Sequence, residues 1–318
     1  MNSTETKARR KSSSDASLQG EPRRKSGLLP FRKKTVVFGS WIWAFPSLAA
    51  VAVIHYYATY VGGSYAFTDF NGISDANWVG LDNFIRIGTD PQTMGAIGNT
   101  FFIAVIYFIG VNIIGLGLAL ALNRGLKTRY FLRVLMFLPV VLSSLAVSYI
   151  FKFIFDFEGP LNKVLMALGQ EPKLWLGDTD TAIWTIIIVA VWQNAGLGMV
   201  IYLAGLATVP PELEESAAID GAGVFQRFWH ITLPMIQPAV AITTTLSLLT
   251  GLRIFDQVVA MTGGGPFGAT DTMSTVIYRI TFEYSDFGYG TALATVFAIV
   301  LAFAAALQLF ITKDRSGK

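Results

Sequence analysis

The 318-residue chain is 53% hydrophobic and only 14% charged, with a formal net charge of +3. A soluble globular domain carries about a quarter charged residues, so most of this chain is expected to face lipid or other helices. It has no cysteine, which excludes disulfides, thiol catalysis and cysteine metal sites and leaves the compartment open. Its two histidines, His55 and His230, are too few for a histidine metal cluster.

Residues 1–34 form a polar tail rich in Ser, Lys and Arg, with ten basic residues and no apolar periodicity, and read as disordered. A nucleic-acid arm is conceivable there. The reading adopted is a cytosolic tail that orients the first helix and touches anionic lipid. It is not read as a cleaved signal peptide, because the apolar run behind it is too long and no small-residue cleavage site stands out.

Six apolar stretches of about 20 residues or more follow, at about 36–61, 98–122, 132–155, 182–207, 238–260 and 289–312. Lipid-exposed backbone must satisfy its own hydrogen bonds, so each is expected to be helical. Pro46, Pro139 and Gly115-Leu116-Gly117 mark kinks or close helix contacts. With the amino terminus inside, the tail, the loop 123–133, Arg227 and the end bearing Lys313, Arg315 and Lys318 hold the basic residues of the inner segments. The outer loops hold only Arg86, Lys163, Lys173 and Arg279. That asymmetry places both termini in the cytoplasm of a multi-pass protein.

The outer loops are acidic and aromatic. Residues 62–97 carry Asp69, Asp75, Asp82 and Asp90, and residues 156–181 carry Asp156, Glu158, Glu171, Asp178 and Asp180. Solvation alone accounts for such acids; a protein-docking surface is the alternative.

The polar stretch 208–237 is too patterned for a plain loop. Pro210 and Pro211 stop the preceding span, and Glu212, Glu214 and Glu215 suit the positive end of a new helix. Small side chains from Ser216 to Ala218 continue it, Gly221 and Gly223 break it, and Val224 to His230 form a second short helix before Pro234. A small-residue surface lets another protein's backbone come close.

Glu215-Ser216-Ala217, Gly221 and Ile231-Thr232-Leu233-Pro234 resemble the Glu-Ala-Ala coupling loop of ABC importer permeases, with Ser216 in place of the usual Ala. Ala218 to Ala222 is similar to the carbohydrate-type form of that loop. Phe131-Leu132-Arg133, Phe137-Leu138-Pro139, Tyr202 to Leu206, Phe255-Asp256 and Thr262 to Pro266 each resemble sugar-permease signatures, so the likeness covers nearly all of residues 36–312. It implies an all-α, six-helix, type I importer permease of the bacterial or archaeal cell membrane. Residues 1–34 would be the tail and 35–318 the permease domain. Glu215, Ser216, Ala217, Asp220, Gly221, Ile231, Leu233 and Pro234 would couple to an ABC ATPase dimer. The implied partners are a second permease, those ATPases, an extracellular substrate-binding protein, membrane lipid and a sugar, with no nucleic acid. The chain would bind no cofactor and carry no catalysis. ATP and magnesium would sit on the ATPase, in keeping with the lack of a GxxxxGK[ST] loop here.

Polar residues inside spans deserve a functional reading. Ser143 and Ser144, Trp192, Gln193 and Asn194, and Thr250 are the candidates. By position relative to the sugar site of maltose-type permeases, Ser144, Gln193, Asn194 and Thr250 fall on or near the implied substrate pathway. Interhelical hydrogen bonding is the competing account for each. Arg253 and Asp256, three apart, are expected to form an ion pair on one helical face or an outer gate. A channel or secondary transporter would need an inverted repeat or a repeated pore motif, and neither is seen across the halves. Another polar solute on the same fold, such as a glycerol phosphate ester, is the alternative cargo.

Overall fold

The computed structural model describes residues 44–123, 125 and 127–313. The expected tail therefore lies outside the described residues. The chain divides into two units, residues 1–52 and 53–318. Within the first, helix α1 spans Phe45–Val51, with Pro46 in its first turn, so Pro46 starts a helix rather than kinking one. A π-helical segment follows at Ala52–Tyr57.

In the second unit, α2 is Ala58–Tyr65, so this stretch stays helical past the expected end of the first span at residue 61. A short hairpin follows, joined by a single bridge between Thr68 and Trp78, and α3 covers Asp82–Ile87. Asn77 donates to Asp69 from its backbone and side chain, and these bonds hold the Asp69 carboxyl below its usual range. Helix α4, Pro91–Leu122, begins at Asp90, whose carboxylate accepts from the Thr93 N–H. It is 32 residues long and crosses the expected second span in one piece.

The third expected span is two helices, not one. Helix α5, Arg129–Val141, and α6, Ser144–Ile154, meet at 96°. Pro139 weakens the end of α5 by lacking an N–H, and Leu142 takes an extended conformation. Helix α7, Pro160–Ala167, opens a loop closed by buried Asn162, which bonds the Lys173 backbone and accepts from the Trp175 indole N–H. Helix α8, Thr179–Leu206, is the central helix and the most buried of the long ones.

The polar stretch folds as α9, Pro211–Ile219, then α10, Val224–Arg227, a π-helical turn at Phe228–Thr232 and α11, Leu233–Met235. A 75° bend leads into α12, Gln237–Leu252. The fifth expected span also breaks: α12 ends at Leu252 and α13, Asp256–Met261, restarts after Phe255. After α14, Met273–Tyr278, and a π-helical segment at Arg279–Glu283, α15 runs Phe287–Lys313. Every regular element among the described residues is helical. Helices α4, α8 and α15 are long and apolar enough to cross a membrane alone; α5 with α6, and α10 through α12, supply two more spans as bent pairs.

Packing needs glycine where backbones meet. A Cβ on Gly115 would stand 3.1 Å from the backbone of Gly198 on α8, and one on Gly196 would collide with the Met136 carbonyl of α5. Gly117 has open space around it, so only the first glycine of Gly115-Leu116-Gly117 marks a close contact. Buried Ile103, Val111, Ile186 and Val258 anchor the core toward the α13 end; Ala119, Met199, Leu206 and Ile236 anchor it beside the polar stretch.

Candidate functional site

Two places bring the candidate residues together, at opposite ends of α12. The first is the hairpin of α9 and α10. Its turn is closed by the Ala222 N–H donating to the Ala217 carbonyl at 2.9 Å and the Gly221 N–H donating to the Ala218 carbonyl at 3.2 Å. Gly221 takes φ +83°, yet a Cβ there would meet nothing within 4 Å. The need for glycine is therefore conformational and not a matter of space. Ala217, Asp220, Gly221, Gln226, His230 and Ile231 line an exposed groove of about 540 Å³. Glu215, Ser216 and Asp220 are exposed, and Ala217 is half-buried. Leu233 packs against the neighbouring core, while Leu233 and Pro234 line a smaller hollow with Gln237 and Ile311. Ile219, Val224 and Phe225 stand more than two-thirds exposed on the same hairpin, a density of bare apolar side chains that suits a protein partner.

The hairpin is braced by one of the first-turn acids, Glu214, through bonds that the sequence pattern did not disclose. Glu214 Oε1 accepts from the Thr232 hydroxyl at 2.9 Å, and the Glu214 carbonyl accepts from Arg227 at 3.2 Å. No short-range spacing joins these residues, so only the turn geometry discloses the pairing. Arg133 acts similarly at the end of α4, donating to the Leu122 carbonyl at 2.8 Å.

The second place is a cavity of about 220 Å³ where α4, α6, α8 and the α12–α13 break meet. Ser144, Asn194 and Thr250 line it together with Arg253 and Asp256. Gln193, expected beside them, does not reach its lining. It is buried, donates to the Leu142 carbonyl at 3.1 Å and accepts from Gln257 at 3.3 Å. The bend between α5 and α6 leaves that carbonyl without a helical partner, and Gln193 supplies one. Tyr107, Phe255 and Gln257 complete the lining. Gln257, one residue past Asp256, was legible as a polar residue in an apolar stretch; Tyr107 was not.

The expected ion pair between Arg253 and Asp256 does not form. Among the described residues the ion pairs are Arg86–Asp286 at 2.7 Å and Arg279–Asp271 at 2.8 Å. The reason is the break itself: Arg253 follows the end of α12 and Asp256 begins α13, so no single helical face carries both. The glycine-rich turn after α13 has Gly263, Gly264 and Gly268 at positive φ. It is clamped by Asp271, 2% exposed at its side chain, whose hydrogen bonds with Arg279 raise the guanidinium pKa above its ordinary value.

Residues 112–315 match the family described as binding-protein-dependent transport system inner membrane component. The chain belongs to that family. It is 32% identical over 286 residues to the multiple sugar-binding transport system permease protein MsmF of Streptococcus mutans, covering 90% of this chain and 99% of the relative. It is 30% identical over 284 residues to the probable starch degradation products transport system permease protein AmyD of Thermoanaerobacterium thermosulfurigenes, covering 87% and 95%. A crystal structure of a bacterial ABC transporter that imports the acidic polysaccharide alginate contains a chain of the same fold, with a TM-score of 0.78 at 24% identity over 87% of this chain and 96% of that one. As a member of this family the chain is a membrane permease subunit of an ABC importer, and the α9–α10 hairpin and the cavity are read in that light below.

Proposed function

We propose that this permease passes a carbohydrate through the α12–α13 cavity, driven by an ATPase docked on the α9–α10 hairpin. The observation that carries the reading is the lining of the cavity. Ser144, Asn194, Thr250 and Gln257 offer hydroxyls and amides beside the charged Arg253 and Asp256, and Tyr107 and Phe255 offer ring faces. Sugars need both kinds of partner, and lipid offers neither. At about 220 Å³ the cavity is below the roughly 300–1,000 Å³ of drug-sized ligand sites, which fits half of a passage whose other wall comes from a second permease. The sugar names of the relatives support the same class. An extracellular binding protein would deliver the solute, and ATP with magnesium would be held by the ATPase subunits.

A second cargo class, a polar solute with an anionic group such as a glycerol phosphate ester, is favoured by Arg253. It lines the cavity and has no ion-pair partner among the described residues. Uptake into proteoliposomes holding the assembled importer, measured across neutral and anionic sugars and glycerol phosphate esters, separates the two. Uptake of a neutral sugar that survives Arg253→Gln supports the carbohydrate reading. Uptake confined to anionic solutes and lost with Arg253→Gln replaces it.

A further inference from the structure

Below the cavity, toward the α9–α10 hairpin, a second and much narrower space continues it. The two share Tyr107, Asn194 and Thr250. The lower one holds only about 20 Å³, room for roughly one water. Its polar side is a stripe on α12. Thr250, Ser247 and Thr243 fall at spacings of three and four, on one helical face, and span about 10 Å along the axis. Thr243 and Ser247 are 2% and 4% exposed. Val111 and Gly198 line it from buried positions, and Leu197, Ile201 and Leu246 line it and stand more open.

Ser247 of the stripe belongs to a partly buried hydrogen-bonded cluster across three helices. Asn112 of α4 donates to Ser247 Oγ at 2.9 Å and accepts from the Tyr202 hydroxyl of α8 at 2.6 Å. Bonds of this kind inside a membrane are not broken without replacement, because no bulk water is present to take over. A hydrated or hydroxyl-bearing solute brings that replacement with it.

We propose that Thr243 and Ser247 form the inner half of the solute path, closed in this structure, and that the Asn112–Ser247 hydrogen bond is its latch. On opening, Leu197, Ile201 and Leu246 swing aside, and Ser247 exchanges Asn112 for solute or water. The proposal rests on the reading of the upper cavity as the solute site, and the experiment tests the two separately.

The chain lacks cysteine, so single cysteines report cleanly. Thr250→Cys, Ser247→Cys and Thr243→Cys are placed in the complete importer, with Ile113→Cys on the outward face of α4, 67% exposed, as the control. Each is exposed to a charged, water-soluble maleimide, at rest and during ATP turnover, and modification of this chain is read by mass. A minor open state populated to about a tenth or less at rest predicts modification of Thr243→Cys about tenfold or more faster during turnover, while Ser247→Cys, which weakens the latch's own acceptor, already reacts at rest. Thr250→Cys is modified at rest and protected by transported solute, and Ile113→Cys stays unmodified throughout. Adding Asn112→Ala to Thr243→Cys raises its resting rate, with ATPase co-purification as the check that the complex is intact. Thr243→Cys and Ser247→Cys that never react, beside a solute-protected Thr250→Cys, overturn the inner path and leave the cavity reading standing. A resting rate unchanged by Asn112→Ala in an intact complex overturns the latch. Thr250→Cys that solute does not protect overturns the cavity reading, and this proposal with it.

Discussion

Glu214 and Thr232 are eighteen residues apart, yet the carboxylate accepts a hydrogen bond from the hydroxyl at 2.9 Å and joins the two arms of the α9–α10 hairpin. A coupling element must move as one body if motion of a docked protein is to reach α12. A hydrogen bond to a charged group is worth about 1.5–3 kcal/mol, enough to decide whether a two-helix hairpin stays rigid. Glu214→Ala or Thr232→Val is therefore expected to uncouple the importer, lowering solute uptake per ATP hydrolysed. Glu212→Ala, on an exposed neighbour with no such bond, is expected to leave the ratio unchanged. Equal ratios in all three variants would show that the brace plays no part in coupling.

Gly221 sets the turn between those arms. Its φ of +83° disfavours any L side chain by about 1 kcal/mol or more. Since a Cβ there meets nothing, the backbone preference of the substituent, and not its size, should govern the damage. Asn visits this region more readily than Ala. Transport and ATPase pull-down are expected to survive better in Gly221→Asn than in Gly221→Ala, although Ala is the smaller, and Glu215→Lys is expected to lose the ATPase while membrane insertion persists. A ranking by side-chain volume alone would place the constraint in the groove instead.

The hairpin was legible in the sequence because its signals are local: paired prolines, first-turn acids and a glycine at the turn. The helical class and the long spans α4, α8 and α15 were legible from apolar length. What escaped was the breaking of spans. Nothing local to residues 253–255 announces that α12 stops there, so Arg253 and Asp256 read as one helical face when they are not. The α5–α6 bend shows in Pro139, but the residue that satisfies it, Gln193, lies 51 positions away. Span-by-span reading therefore sent Gln193 to the cavity along with Asn194.

That distinction is measurable. Gln193→Leu removes the donor from the Leu142 carbonyl and leaves a buried acceptor bare, at about 1–3 kcal/mol. It is expected to lower the yield and thermal stability of the assembled permease while leaving the relative uptake of different sugars unaltered. Asn194→Leu touches the cavity and no other helix, since its amide donates only to Ala190 one turn back. It is expected to raise the KM for transport and shift sugar preference with little change in melting. The reverse pattern would return Gln193 to the solute path.

Orientation follows from charge and is open to a direct test. The basic tail, the loop 123–133 and the segment after α15 outweigh Arg86, Lys163, Lys173 and Arg279, two of which are held in ion pairs. Reporter fusions after Lys318 are expected to signal cytoplasm, and insertions beside Gly169, at the exposed end of α7, are expected to signal the outside. A cytoplasmic signal at Gly169 would invert the assignment of every loop.

In the glycine-rich turn after α13, Asp271 is the most exacting residue. Its two oxygens bond Arg279 at 2.8 and 2.9 Å, Asn99 donates to its carbonyl at 3.0 Å, and Gln92 reaches its carboxylate at 3.3 Å. Arg279 in turn donates to the Gly263 carbonyl at 3.0 Å, so one carboxylate orders the whole glycine turn against α4 and α14. Asp271→Ala is expected to leave a half-buried guanidinium without its counter-charge and to cost about 3 kcal/mol, the lower end for breaking a buried pair because Arg279 keeps partial access to water. Arg279→Gln strands the more deeply buried carboxylate and is expected to cost as much or more. The double variant, Asp271→Asn with Arg279→Gln, keeps hydrogen-bonding groups on both sides and removes both charges, so it is expected to recover part of the loss. Thermal unfolding of the purified complex measures all three, and a double variant no more stable than either single one would show that the clamp acts through its shape rather than its charge.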